Sequence, residues 1–350
     1  MVNEGRLRVA IAGCHRMVTR TPGSHNWAAA FAAVPEVEVV AVFDRGAETR
    51  SAFAACWGET PAYDDYERML AQVRPDVVCI ATRQTMHADQ IEQAVAAGAR
   101  GLLCDKPLAT SLAEVERIVT TLGRAGVPLA FGLDRRWSSP YRALRDAVAN
   151  AVVGHVTSVI AYGLPNLINH GCHWYDAALM LAGDPEIAWV SGLVDDLSRE
   201  PAASRGRLDP PGRAQIGLAN GVTLYVTPDG RPGPAFEVLG ERGRLLLLND
   251  ARDVSLWTVD APAGQSGPLR QGTLDLPPKE GGWPAGPAAV RDLVQAVRRG
   301  ATTACDVDEA RRATEIGFAV HASSAAGGAR LSVAEVDRAL RIESFPWGNE

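Results

Sequence analysis

The stretch LRVAIAGCHRMVTRTPGSH, residues 7–25, decides how the first half of the chain is interpreted. It opens with a largely apolar run, Leu7–Ile11, and Gly13 follows that run closely. A dinucleotide-binding strand usually ends in this way, and a G-x-G-x-x-G loop then carries the chain past the phosphates. Here His15 and Val18 occupy the second and third glycine positions. The stretch therefore leaves two interpretations open: a remodelled cofactor loop, or a Rossmann-like domain that binds no cofactor.

The composition is that of an ordinary soluble globular protein. The chain has 350 residues, of which 47% are hydrophobic and 22% are charged, so two domains are expected. A net charge of −6 without a basic cluster argues against a nucleic-acid partner. No apolar stretch is as long as a membrane span, and the first residues do not read as a secretory signal. Six scattered cysteines without a C-x-x-C pair predict reduced thiols in the cytoplasm.

Strand-like and helical patterns alternate over the first 150 residues. Apolar runs such as Val77–Ala81 are typical of strands that are buried on both faces of a parallel sheet. Their alternation with helical patterns through short links predicts βαβ units. After about residue 150, short strand-like runs and turn signals such as Asn220-Gly221 predict a mostly antiparallel sheet. One predicted helix, Gly171–Leu181, interrupts these strands.

These patterns predict an α/β protein of two domains. An N-terminal Rossmann domain is expected over residues 1–133. A C-terminal α/β domain, built on an open and mostly antiparallel sheet, is expected over residues 134–350. Residues 261–288 are rich in proline and glycine and are predicted to form a loop. The two closing helices, Pro287–Arg299 and Val307–Ala326, are able to pack back on the first domain.

The open sheet also predicts self-association. A sheet face that is apolar and uncovered tends to be buried against a second copy of the chain. Leu218, Val222, Leu224 and Val226 are expected to contribute to such a face. We therefore expect a homodimer or homotetramer that packs through the second domain.

The first candidate site combines the opening stretch with an acidic residue. Asp44 follows the second predicted strand, where a carboxylate can accept hydrogen bonds from an adenosine ribose. The number of residues between Gly13 and Asp44 exceeds the usual spacing of about 20 residues. The extra residues lie in the loop from Met17 to Ser24. Ser24 is expected to cap the next helix, whose N-terminus would attract a pyrophosphate. Arg16 would add positive charge there.

The second candidate site is the charged pair Asp105-Lys106, which directly follows the apolar strand Leu102–Cys104 and precedes Pro107. Ligands of parallel sheets bind beyond the carboxyl ends of the strands. Lys106 is therefore expected to face the ligand, where partial desolvation can lower the pKa of its ammonium group. The alternative is an exposed loop lysine without a catalytic role.

The third candidate site lies on the predicted helix of the second domain. Helical spacing places Asn169, His173 and Asp176 on one face, so that an imidazole has amide and carboxylate groups one turn away. That arrangement is typical of an acid/base site. Two alternatives remain open: His173 is a core histidine, or His170 and His173 bind a metal ion. No third ligand recurs at a suitable spacing, so we predict no metal.

The three candidate sites, in their order along the chain, resemble the motifs of the glucose–fructose oxidoreductase, inositol dehydrogenase and rhizopine catabolism (Gfo/Idh/MocA) family. The family carries E-K-P after its fifth strand, where this chain has Asp105-Lys106-Pro107. It carries D-x-G-x-H-x-x-D on the helix of its second domain, where this chain has the residues from Asn169 to Asp176. Thr82 to His87 resembles the family's nicotinamide-side loop, and Gly132 to Trp137 resembles the end of its sixth strand.

The resemblance implies hydride transfer between a nicotinamide cofactor and a secondary alcohol or ketone of a sugar, cyclitol or related polyol. It implies catalytic roles for Lys106, His173, Asn169 and Asp176, with His173 as the base and Lys106 on the same oxygen. It implies cofactor contacts from Gly13, His15, Arg16, Asp44, Arg45, Thr82, His87, Asp105 and Lys106. It implies substrate contacts from Arg136, Trp137, Asn166, Asn169 and His173.

Departures from the family pattern keep other functions open. Asn169 replaces an aspartate, Asp105 replaces a longer glutamate, and two loop glycines are missing. A redox-neutral enzyme with tightly held NAD, acting as a hydrolase, epimerase or lyase, is one alternative. A non-catalytic NAD-dependent sensor is another. Asp44 would repel a 2′-phosphate, so NAD(H) is favoured, while Arg16 and Arg45 leave NADP(H) possible.

Overall fold

The computed structural model describes residues 5–21, 23, 25–195, 209–229, 233–262, 265, 267–277 and 281–343. These residues form two compact units, one from residues 1–137 with 280–311 and the other from residues 138–279 with 312–350. The boundary between the units thus falls after Trp137, whereas the sequence places it after residue 133. The segment 280–311 belongs to the first unit, although it follows the second unit in the sequence. A division of the chain at a single position therefore does not describe the two units.

The first unit is built on a six-stranded parallel sheet in the order β3-β2-β1-β4-β5-β6. The strands are β1 (Leu7–Ala12), β2 (Val37–Phe43), β3 (Ala62–Tyr63), β4 (Val77–Ile80), β5 (Gly101–Cys104) and β6 (Leu129–Phe131). All residues of β4, β5 and β6 are buried, because helices cover both faces of such a sheet. The predicted parallel sheet is confirmed.

Five helices connect these strands: α1 (Trp27–Ala32), α2 (Ala47–Trp57), α3 (Tyr66–Val73), α4 (His87–Ala96) and α5 (Leu112–Ala125). The helix α8 (Ala285–Arg299) also packs on this sheet, against β5 and β6. A Cβ atom on Gly101 would overlap the side chain of Val297, so α8 lies directly on β5. Because α8 begins at Ala285, the predicted loop 261–288 extends too far.

The second unit is built on an eight-stranded sheet in the order β14-β13-β12-β11-β7-β10-β9-β8. The strands are β7 (Val156–Tyr162), β8 (Ile187–Val194), β9 (Gly212–Leu218), β10 (Thr223–Thr227), β11 (Ala235–Gly240), β12 (Gly243–Leu248), β13 (Asp253–Val259) and β14 (Leu269–Gly272). Neighbouring strands are antiparallel except β7 and β10. The predicted mostly antiparallel sheet is confirmed. The strand β14 is not visible in the sequence because its four residues carry no clear alternation.

Three helices belong wholly or largely to this unit: α6 (Ser139–Ala149), α7 (Gly171–Leu181) and α9 (Val307–Ala325). Helix α7 packs against β7 and has the bounds that the sequence predicts. Among the described residues, no helix is long and apolar enough to cross a membrane.

The predicted outer face of the second sheet is wrong. Leu218, Val222, Leu224 and Val226 are all buried within the chain. The strand register instead places Leu193, Tyr225, Leu248, Trp257 and Leu269 together on the opposite face, and all five are exposed. We call these five residues the outer apolar set. Alternation shows which side chains share a face, but it does not show which face the helices cover.

Candidate active site

Four predicted cofactor residues lie at one edge of the first sheet. Gly13, Asp44, Thr82 and Asp105 follow the carboxyl ends of β1, β2, β4 and β5. In the strand order 3-2-1-4-5-6, the direction in which the strands are added reverses between β1 and β4, and dinucleotides bind in the crevice at that point. The positions of these residues therefore fit a dinucleotide.

The loop after Gly13 is longer than a standard glycine loop, and its extra residues are anchored on helix α2. The indole nitrogen of Trp57 donates a hydrogen bond to Met17 O at 2.6 Å, and Arg20 Nε donates to Cys56 O at 2.8 Å. His15 and Arg16 remain exposed at the start of the loop. The surplus residues thus pack against the end of α2, while His15 and Arg16 stay accessible to a ligand.

Asn26 closes this loop and caps helix α1. Its side-chain nitrogen donates to Thr19 O at 2.7 Å and to Thr21 O at 3.2 Å, and its oxygen accepts from Ala29 N at 3.2 Å. The predicted cap, Ser24, lies outside the described residues. Helix α1 has six residues, and the Asn26 side chain already accepts from one of the first amides of the helix.

Asp44 is oriented by backbone amides on both of its oxygens. Oδ2 accepts from Cys14 N and Oδ1 accepts from Gly46 N, each at 2.9 Å. Each carboxylate oxygen has a second lone pair, so both can still accept a hydroxyl. Burial, with the charge of Asp44 second, raises the pKa of the Cys14 thiol to about 12, so this neighbour stays uncharged. Arg45 is exposed.

His87 holds together the loops that follow β4 and β5. Its ring nitrogens lie 3.2 Å from Leu108 O and 3.2 Å from Thr82 O. Burial lowers the pKa of His87. His87 is 0% exposed, and its predicted contact with the cofactor stays a prediction. Thr82 is partly exposed, and its hydroxyl donates to Gln90 Oε1 at 2.5 Å.

Asp105 is held by His25, a residue to which the sequence assigns no function. His25 Nδ1 lies 2.9 Å from Asp105 Oδ1, which also accepts from Lys106 N at 2.9 Å. Burial alone would raise the pKa of Asp105, but His25 and Lys106 outweigh it and hold that pKa well below its usual range. The ionised carboxylate therefore fixes the backbone of Lys106. The ring of Trp283 lies beside that of His25, with the centroids 6.2 Å apart.

Arg136 and Trp137 are buried and bind segment 280–311 within the first unit. Trp137 Nε1 donates to Asp292 Oδ2 at 2.9 Å, and the same oxygen accepts from Ala304 N at 2.7 Å. Arg136 Nη1 lies 3.5 Å from Ala304 O. These contacts hold the end of β6 to α8. The predicted contact of either residue with substrate stays a prediction.

Helix α7 brings the acid/base candidates of the second unit into its interior. All eleven residues of the helix are buried, and so is Asn169 two residues before it. Asn169 and Asp176 are each 1% exposed, whereas His173 is 8% exposed. A nearly buried imidazole, with a buried amide and a buried carboxylate at helical spacing in the sequence, can be held in one orientation. It still keeps a small accessible surface.

Asn166 shapes the start of this helix. Its side-chain oxygen accepts from His170 N at 2.7 Å, and its nitrogen lies 3.1 Å from His170 Nδ1. The residue predicted to contact substrate therefore also fixes the His170 ring. Within the described ranges, no group of three or more His, Cys, Asp or Glu side chains is arranged to hold a metal ion.

Comparison with known proteins identifies the family. Residues 7–133 match the model of an oxidoreductase family with an NAD-binding Rossmann fold. D-apiose dehydrogenase from Paraburkholderia graminis is 32% identical over 272 residues, which cover 71% of this chain and 69% of that enzyme. The chain belongs to the Gfo/Idh/MocA family.

Other proteins similar to this chain are one sequence relative and two solved structures. D-glucoside 3-dehydrogenase from Escherichia coli is 28% identical over 204 residues, 53% of this chain and only 56% of that relative. Levoglucosan dehydrogenase in complex with NADH and L-sorbose gives a TM-score of 0.77 at 19% identity, covering 94% of this chain and 99% of the other. An oxidoreductase domain protein from Kribbella flavida gives 0.77 at 22% identity with the same coverage. These two structures share the fold of this chain.

His25→Ala is expected to weaken NADH binding by about 2- to 10-fold. The variant removes a charge-assisted hydrogen bond from Asp105, so the carboxylate and the adjoining Lys106 lose their fixed orientation. Titration of protein fluorescence with NADH measures the affinity. His155→Ala, which removes an exposed histidine from the second unit, is the control. Equal NADH affinities for the two variants would contradict the role assigned to His25.

Proposed function

We propose that this chain catalyses reversible hydride transfer between NAD(H) and a secondary alcohol of a sugar, cyclitol or related polyol. The observation that carries the proposal is that His173 is nearly buried on helix α7, with the buried Asn169 and Asp176 at helical spacing on either side of it in the sequence. It occurs in a family with an NAD-binding Rossmann fold. The two curated relatives described above are named as dehydrogenases of a glucoside and of apiose, which supports a sugar-like substrate. The nicotinamide, when bound, supplies or accepts the hydride.

The proposed roles follow from what the substrate must lose. As the carbon gives up a hydride, its hydroxyl must give up a proton, and His173 is the proposed base. Lys106 donates a hydrogen bond to the same oxygen and stabilises the negative charge that develops there. Asn169 and Asp176 hold the imidazole in its orientation. Arg136, Trp137 and Asn166 are proposed to shape the substrate pocket.

The proposed cofactor contacts lie at the carboxyl edge of the first sheet. Gly13 lets the backbone of the first loop approach the pyrophosphate, while Arg16 and His15 are accessible to its charge. Asp44 receives the adenosine ribose. Thr82, Asp105 and Lys106 contact the nicotinamide side. In this scheme the first unit is the cofactor domain, and the second unit supplies the base and binds the substrate.

We also propose a cytoplasmic homodimer or homotetramer. All six cysteines are free thiols, which supports a reducing compartment. Five of the six large apolar side chains that are exposed among the described residues form the outer apolar set on one sheet face. Exposed large apolar side chains that share one sheet face support the burial of that face against a second copy.

His173→Ala is expected to lower kcat by about 100- to 10,000-fold, the usual worth of a positioned acid/base group. Its affinity for NADH should change little, because the cofactor contacts lie in the first unit. Lys106→Ala should reduce both turnover and NADH affinity. The measurement is steady-state NAD⁺ reduction on a panel of D-glucose, levoglucosan and myo-inositol.

Two outcomes of the same assay would favour the alternatives. Wild-type protein that binds NADH but turns over no polyol would favour a non-catalytic sensor. NAD that stays bound on dilution, with a modified sugar released at the same oxidation level, would favour a redox-neutral enzyme. Full activity in His173→Ala would show that His173 is not the base.

Wild-type protein is expected to bind NADH more tightly than NADPH, and Asp44→Ala should narrow the difference. The carboxylate repels a 2′-phosphate and accepts the ribose hydroxyls. Fluorescence titration with both cofactors measures the ratio of affinities. Glu48→Ala removes an exposed carboxylate from the first turn of α2 and is the control. Tighter binding of NADPH by the wild type would refute the assignment of Asp44.

The double variant Tyr225→Glu, Trp257→Glu is expected to be monomeric, because two charges in the outer apolar set oppose its burial. Val18→Glu is the control and should keep the wild-type mass. Among the described residues, Val18 is the exposed large apolar residue that lies outside the outer apolar set. Light scattering at micromolar concentration measures the assembly. A monomeric wild type would refute self-association.

A further inference from the structure

A buried carboxylate gathers the backbone just ahead of helix α7. Asp209 Oδ1 accepts from Leu167 N at 3.0 Å and from Ile168 N at 2.8 Å. Its Oδ2 accepts from Ile168 N at 3.0 Å and from Asn169 N at 2.9 Å. The Asp209 side chain is only 3% exposed. Three successive amides thus converge on one anion, and such charge-assisted hydrogen bonds are short and directional.

Helix α9 closes the other side of the same turn. His321 Nε2 lies 3.7 Å from Asp209 Oδ1. One turn earlier, a Cβ atom on Gly317 would come within 2.8 Å of Leu167 O and 2.9 Å of the Ile168 side chain. Leu167 and Ile168 therefore lie between a carboxylate that holds their amides and a helix that leaves no room for a methyl group.

The held turn is continuous with the first turn of helix α7. Cys172 N donates to Ile168 O at 3.3 Å, and Cys172 Sγ donates to Asn169 O at 3.4 Å. A displacement of Ile168 or Asn169 is therefore transmitted directly to Cys172, the residue before His173. Burial, with the charge of Asp209 second, raises the pKa of the Tyr175 hydroxyl well above its ordinary value, so the field of this anion reaches the helix.

We propose that Asp209 is a positioning residue for the acid/base helix. By binding the amides of residues 167–169, it fixes the side chain of Asn169 and the position at which His173 enters the site. It acts through these residues and takes no part in proton transfer. This inference rests on the proposed function only in the claim that the position of His173 matters for turnover.

The first test compares Asp209→Asn with Asp260→Asn. The asparagine keeps one acceptor oxygen but presents an N–H group to backbone amides that need an acceptor. Some of the hydrogen bonds to the amides of residues 167–169 are therefore lost. Asp260 is an exposed carboxylate paired with Arg270, and its variant should behave as wild type. Hydrogen–deuterium exchange of the amides of residues 167–169 should accelerate about tenfold in Asp209→Asn. NADH affinity should stay within twofold.

Turnover on the same polyol panel should separate positioning from binding. A displacement of about 1 Å at a reacting group can cost about 100-fold in rate, so kcat should fall about 10- to 100-fold in Asp209→Asn. The KM for NAD⁺ should change less than twofold. A kcat equal to that of Asp260→Asn would overturn the inference, and so would unchanged exchange at residues 167–169. Accelerated exchange with no wild-type turnover would overturn the proposed function alone.

Gly317→Ala tests the same turn from the side of helix α9, and it serves if Asp209→Asn does not fold. Alanine favours a helix over glycine, so loss of the helix would not explain a loss of rate. The added methyl group must push Leu167 O away, and kcat should fall at least threefold. Gly123→Ala, in helix α5 with open space around its Cβ, is the control. Equal kcat values for these two glycine variants would overturn the inference.

Discussion

The carboxyl edge of the first sheet, where the predicted cofactor residues lie, depends on a contact that only glycine permits. Gly13 has a φ of +90°, and a Cβ atom there would lie 2.5 Å from Ala81 O and 2.8 Å from Thr82 N. The backbones that leave β1 and β4 therefore touch at the point where the strand order reverses. A larger residue would separate these strands at their ends and displace the crevice in which a dinucleotide binds. This explains why the first glycine of the motif remains.

The other two glycines of the motif are replaceable because the loop takes a different path. A short loop needs glycine where its backbone approaches the pyrophosphate and where the helix packs closely on the strand. Here Trp57 and Arg20 fasten the added residues to helix α2, and Asn26 ties the end of the loop to its middle. Side-chain hydrogen bonds therefore hold this loop in place of the close packing that glycine permits in a standard loop. The altered motif is thus compatible with a dinucleotide-binding domain.

The sequence predicts those features that depend on local pattern. The predicted bounds of Gly171–Leu181 are exact, because this mainly apolar run is followed closely by the glycine signal at Gly183. The covered face of the second sheet could not be predicted, since alternation is the same whichever face the helices choose. The return of residues 280–311 to the first unit depends on contacts such as that of Trp137 with Asp292. Such a contact has no local signature.

The contacts that the sequence does not reveal share one physical role. Asp105 accepts the amide of Lys106 and faces His25, while Asp209 accepts the amides of residues 167–169 and lies near His321. In each unit, a buried carboxylate joins the backbone of a candidate catalytic segment to a histidine from a distant part of the chain.

A buried carboxylate is costly to desolvate, and it is stable only while all its donors are in place. Its geometry is therefore determined cooperatively, and so is that of the backbone it binds. For this reason the proposed catalytic residues Lys106 and His173 are recognisable from short motifs, whereas the contacts that fix their positions appear only in the folded structure.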